Sequence, residues 1–194
     1  MKRKFMMVVL AGLFLVGTWQ TALAKKWQPY QFKGNERFEY EVISWEDEEE
    51  KEALYILDIK ELEEDIFEVT YITKGTLKKE ELGMETAYGL WGFYGVSLNA
   101  LILNPFYCIY FQEMDLEVGE KMSFWGAGLI KVIGKEKIAG REGFVCQFFQ
   151  TIDDEEELVA EWTIDPELAL PLRSKVFSEE KVESQIELIK YTEY

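Results

Sequence analysis

Glu36-Arg-Phe-Glu-Tyr-Glu-Val-Ile-Ser-Trp45 alternates in character: Phe38, Tyr40 and Val42 fall on one side, Arg37, Glu39 and Glu41 on the other. A period of two residues is that of a β-strand with one face buried and the other in water. The pattern returns directly downstream. Residues 53–60 align Tyr55, Leu57 and Ile59, and residues 66–73 align Phe67, Val69 and Tyr71, with the acidic run Glu46-Asp-Glu-Glu-Glu50 as a turn between the first two strands. Consecutive strands with short polar links form an antiparallel meander.

The C-terminal half carries the same signal. Residues 121–125, 129–138, 144–151, 158–164, 172–177 and 182–191 each read as a strand, with Leu158, Ala160, Trp162 and Ile164 on one face of the fourth. Ala139-Gly-Arg-Glu-Gly143 reads as a glycine-containing hairpin loop, and residues 153–157 as a further acidic turn. The sum is about eight to ten antiparallel strands in one domain.

One stretch breaks the rule. Thr86-Ala-Tyr-Gly-Leu-Trp-Gly-Phe-Tyr-Gly-Val-Ser-Leu-Asn-Ala-Leu-Ile-Leu-Asn-Pro-Phe-Tyr-Cys-Ile-Tyr-Phe-Gln112 has no charged residue, in a chain that is 30% charged. Tyr88, Trp91, Leu98 and Leu101 recur at helical spacing, and Asn104-Pro105 is a stop, so the spacing predicts a helix over 87–103. Asn99, Asn104, Pro105 and three glycines oppose a membrane span. A sheet with one apolar face must bury it. The expected fold is therefore α+β and mainly β: a strongly curved antiparallel sheet, an incomplete barrel, wrapped around an apolar helix.

The beginning of the chain reads as an export signal. Lys2-Arg3-Lys4 is a basic lead, residues 5–17 are apolar, and Ala22-Leu23-Ala24 is a cleavage site, so residues 1–24 are expected to be removed and residues 25–194 to form the exported, periplasmic domain. The net charge of the whole chain is -16, which disfavours nucleic acid and anionic lipid headgroups and favours an apolar or a basic partner. The chain contains no histidine, which removes imidazole catalysis and the common zinc sites.

Cys108 and Cys146 are the two cysteines. They read equally as a disulfide, closing a loop of roughly 40 residues and adding on the order of 3–4 kcal/mol, or as two buried thiols.

The fragment Glu161-Trp-Thr-Ile-Asp-Pro166, followed by Leu170-Pro-Leu-Arg173, with a hairpin before it and a terminal strand after it, resembles the LolA/LolB-like superfamily of exported envelope proteins. The resemblance implies an incomplete antiparallel barrel plugged by helices, with a hydrophobic cavity that holds acyl chains. Two departures stand out: only one helix is evident here, and no cysteine follows the export signal for lipid attachment.

The carboxylates cluster in turns at 46–50, 61–65 and 153–157, where acidic residues ordinarily serve as solvated caps. Asp153-Asp154 lacks the spacing of a calcium loop, and no GxSxG, Walker or CxxC motif occurs. The expectation is a non-enzymatic protein with neither cofactor nor metal. Its apolar ligand, a lipid or an acylated peptide, is expected to touch Tyr88, Trp91, Phe93, Tyr94, Leu98, Leu101, Phe106 and Tyr110 of the uncharged stretch, and Phe38, Tyr40, Tyr55 and Trp162 of the sheet. The competing expectation is an envelope scaffold whose core is filled by its own side chains and whose acidic surface meets a basic protein.

Overall fold

The computed structural model describes residues 25–46, 49–76, 79, 111–124, 128–152 and 155–194. The strands are β1 (Lys25–Lys26), β2 (Glu36–Glu46), β3 (Glu49–Glu63), β4 (Ile66–Gly75), β5 (Asp115–Leu116), β6 (Lys121–Phe124), β7 (Gly128–Ile138), β8 (Arg141–Ile152), β9 (Glu155–Ile164), β10 (Arg173–Ser178) and β11 (Lys181–Glu193). Nine of them form one antiparallel sheet in the order β4-β3-β2-β11-β10-β9-β8-β7-β6, and β1 pairs with β5 in a separate two-stranded sheet. Among the described residues β4 and β6 do not pair, so the sheet is not closed.

Two meanders meet in its middle. Residues 36–75 run outward to β4, residues 121–193 run from β6 back inward, and β11 closes against β2 with Leu188 opposite Tyr40 and Ile186 opposite Val42. The alternation of β2 holds: Phe38, Tyr40 and Val42 are buried while Glu41 is exposed.

The hairpin between β7 and β8 is tighter than the expected five-residue loop. Ala139 and Gly140 alone make the turn, at φ 48° and 82°, and Gly143 pairs with Glu136 inside the ladder. Two positive φ values match the right-handed twist of the flanking strands, so the short turn prevails. Gly143 has a packing role instead, since a Cβ there would lie 2.8 Å from Thr163 and 2.9 Å from Leu172. The acidic turn at 46–50 is also shorter, because Glu49 and Glu50 pair with Glu46 and Trp45.

The apolar face is covered in two halves. On one side Phe38, Tyr40, Leu57, Ile59, Ile186 and Leu188 pack with Leu168, Leu170 and Leu172 of the segment between β9 and β10. Asp165 starts this segment by accepting hydrogen bonds from Arg141 Nε at 2.6 Å and the Glu167 amide at 2.9 Å. On the other side Ile130, Val132, Cys146, Phe148, Trp162 and Ile164 pack with Trp27, Phe111, Met114 and Leu116. The residues before β2 thus contribute a buried tryptophan to the core. The helix expected over 87–103 lies outside the described residues.

The opposite face of the central strands carries an ionic lattice. Arg173 Nη2 contacts both carboxylate oxygens of Glu136 at 2.5 and 2.6 Å, and Arg173 Nη1 contacts Glu187 at 3.4 Å. Glu161 accepts from Gln147 at 2.9 Å and from Lys175 at 3.1 Å. These partners satisfy the Glu161 side-chain oxygens at 9% exposure.

Candidate functional site: an apolar groove at the open edge

The strand alternation that fills the core continues past the point where cover ends. In β3 and β4, Leu57 stands opposite Tyr71, Ile59 opposite Val69 and Glu61 opposite Phe67. Cross-strand partners share a face, so Phe67, Val69 and Tyr71 extend the apolar surface of Leu57 and Ile59. Leu57 and Ile59 are buried, yet Phe67 is 46% exposed and Tyr71 65%.

Between them lies a groove of about 240 Å³, lined by Phe32, Gly34, Leu57, Ile59, Phe67, Val69 and Tyr71. Phe32 is positioned by the edge-on packing of its ring against Phe38, with ring centres 6.0 Å apart. Gly34 has φ 78°, and a Cβ there would sit 2.9 Å from the Phe67 ring. Glycine therefore serves both the backbone turn and the close approach.

A row of tyrosines leads from the core into this surface. Tyr40, Tyr55 and Tyr71 lie on three adjacent strands, with ring centres 6.5 Å apart at each step. Tyr40 donates a hydrogen bond to the Pro171 carbonyl at 2.9 Å, and its burial raises its pKa well above 10. Burial, followed by the neighbouring Tyr71, pushes Tyr55 up to about 12. Both hydroxyls are neutral at physiological pH, and none of the residues lining the groove is an acid, a lysine or an arginine. Acids stand at one end of it: Glu61, Glu63, Glu64, Asp65 and Glu68 are all exposed around the β3–β4 turn. Such a surface can hold an apolar group by dispersion and exclusion of water, and it contains no paired nucleophile and base.

Of the residues expected to touch ligand, Phe38, Tyr40 and Tyr55 belong to the same packed cluster as Leu57 and Ile59, and Tyr55 connects it to the groove through Tyr71. Trp162 sits in the other cluster, 5.5 Å from the Phe111 ring and 6.3 Å from Phe148, and does not line this groove. Tyr88, Trp91, Phe93, Tyr94, Leu98, Leu101, Phe106 and Tyr110 lie outside the described residues. Phe32, Gly34, Phe67, Val69 and Tyr71 were absent from the expected set. The alternation of β4 was visible, but its place at an edge was not.

Cys146 is a free thiol, buried in the second cluster, with its pKa raised by burial. Cys108 lies outside the described residues, as do Asp153 and Asp154. Among the described residues no group of acids and cysteines is placed to hold a metal ion, and no helix is long and apolar enough to cross a membrane.

No family model matches the chain, and no curated protein matches it. Solved structures do align. MucB matches over 91% of this chain and 57% of its own, at 13% identity and TM-score 0.34. The MucA/MucB complex of Pseudomonas aeruginosa matches over 82% and 52%, at 9% identity and TM-score 0.33. A putative exported protein with a YmcC-like fold from Bacteroides fragilis matches over 87% of this chain and 100% of its own, at 9% identity and TM-score 0.38. The chain spans about half the length of the MucB chains it matches. Likenesses this slight carry no argument about what the groove holds.

Proposed function

We propose that this is an exported, non-enzymatic envelope protein that binds an apolar ligand, a lipid or an acylated peptide, on the uncovered part of its sheet. One observation carries the reading. Phe67, Val69 and Tyr71 are exposed on the same face as buried Leu57 and Ile59, around a groove of about 240 Å³. Large aromatic side chains left in water beside a finished core are a standing source of binding free energy, about 25 cal/mol per Å² covered. The resemblance of residues 161–173 to the LolA/LolB-like superfamily supports the same ligand class, and the signal read in residues 1–24 supports the compartment.

The test is native mass spectrometry of residues 25–194 purified from the exported fraction without detergent, followed by organic extraction. An extracted lipid mass is expected, with the amount bound reduced by roughly tenfold in Phe67→Glu, at an unchanged unfolding midpoint because the site is exposed. A clean unliganded mass and no enhancement of a lipophilic dye would sink the proposal. That outcome favours the second reading, a scaffold with a self-filled core, which the close packing of Phe38, Tyr40 and Trp162 supports.

A further inference from the structure

The two edges of the nine-stranded sheet are built differently. β6 has four residues and begins with exposed Lys121, a short and charged edge that discourages pairing. β4 has ten residues, and Ile66, Phe67, Val69 and Tyr71 are all exposed. Among the described residues its one strand neighbour is β3, and the backbone donors and acceptors of alternate β4 residues on the other side have no strand partner among them.

The charges of β4 are arranged symmetrically. Glu68 and Lys74 are its only charged residues, each three positions from Tyr71. We propose that β4 pairs antiparallel with β4 of a second copy of this chain, Tyr71 opposite Tyr71, joining two sheets into one. In that register Glu68 of each copy faces Lys74 of the other, on the face away from the groove, where directly opposed side chains interact best. Phe67 faces Gly75, an aromatic over a glycine, and Val69 faces Thr73. Antiparallel shifts of two residues pair neither charge, and parallel pairing in register sets Glu68 beside Glu68. Because opposed residues share a face, the apolar grooves of the two copies adjoin across the two-fold axis. The dimer does not depend on the groove holding a lipid.

Sedimentation velocity on residues 25–194 tests this in about 0.15 M salt, where the repulsion due to a net charge of -19 (18 Lys and Arg against 37 Asp and Glu once Lys2, Arg3 and Lys4 are gone) is screened beyond about 8 Å. The wild-type chain is expected to show a concentration-dependent monomer–dimer equilibrium. Glu68→Lys and Lys74→Glu each set like charges against one another and should raise the dissociation constant by roughly tenfold or more. The double variant E68K/K74E should recover the dimer, and an equimolar mixture of E68K with K74E should form a heterodimer. Both sites are exposed, so circular dichroism of each variant should match wild type. A wild-type chain that stays monomeric at all concentrations, single variants that associate like wild type, or a mixture that fails to pair would each overturn the proposal.

Discussion

The indole Nε1 of Trp27 donates a hydrogen bond to the carbonyl of Leu168 at 2.7 Å, across 141 positions of sequence. Trp27 belongs to the cluster under β7, β8 and β9, and Leu168 to the cluster under β2, β3 and β11. This one bond therefore ties the covers of the two halves of the sheet. Trp27→Phe keeps most of the ring but leaves the Leu168 carbonyl without its donor, and is expected to cost about 1–3 kcal/mol. Trp27→Ala also opens a cavity and should cost about 3–5 kcal/mol. Urea unfolding followed by circular dichroism measures both; equal losses for the two variants would show that the bond matters and the ring packing does not.

Arg173 and Glu136 form the centre of the ionic lattice, with side chains 17% and 27% exposed. Removing the cation by Arg173→Met leaves Glu136 and Glu161 close together, with Lys175 beside Glu161 alone. A loss of about 2–3 kcal/mol is expected, below that for a fully buried pair because Glu136 reaches solvent. Glu136→Gln in the same background should then cost much less than it does in wild type. A double-mutant cycle reads this as a coupling of about 1–3 kcal/mol. Additive losses would place the stabilising effect of Arg173 elsewhere.

Tyr55 gives the fold a limit in alkali. Its pKa is raised in the folded protein to about 12, against 10 when unfolded, so the folded state holds the phenolic proton more tightly. The resulting stability is complete below pH 10 and is lost as pH rises from 10 to about 12. Across that window Tyr55 lowers stability by about 1.4 kcal/mol per pH unit. Tyr55→Phe should flatten the decline of the urea midpoint between pH 10 and 12. Absorbance titration should show fewer tyrosines ionising near pH 10 than the unfolded chain does. An unchanged pH slope in Tyr55→Phe would assign the alkaline loss to the other tyrosines with raised pKa values, Tyr40, Tyr191 and Tyr194.

The period of two in residues 36–45, 53–60 and 66–73 determined the strands, and with them the class of fold, because alternation records which face of each strand is buried. Ala139-Gly140 and the acidic run at 46–50 marked reversals for a similar local reason, since their backbone and solvation preferences act within a few residues, whereas Glu155, Glu156 and Glu157 of the run at 153–157 pair with Ile152, Thr151 and Gln150 inside the ladder. The order of strands was decided only in three dimensions. Nothing in the alternation of β4 separates it from that of β2, yet β2 lies between β3 and β11 while β4 lies at an edge, so the same pattern buries Phe38 and exposes Phe67. Trp27 and Leu168 were equally silent in sequence. Their burial depends on chain brought from more than a hundred residues away, and local periodicity carries no information about which segment will arrive to cover an apolar face.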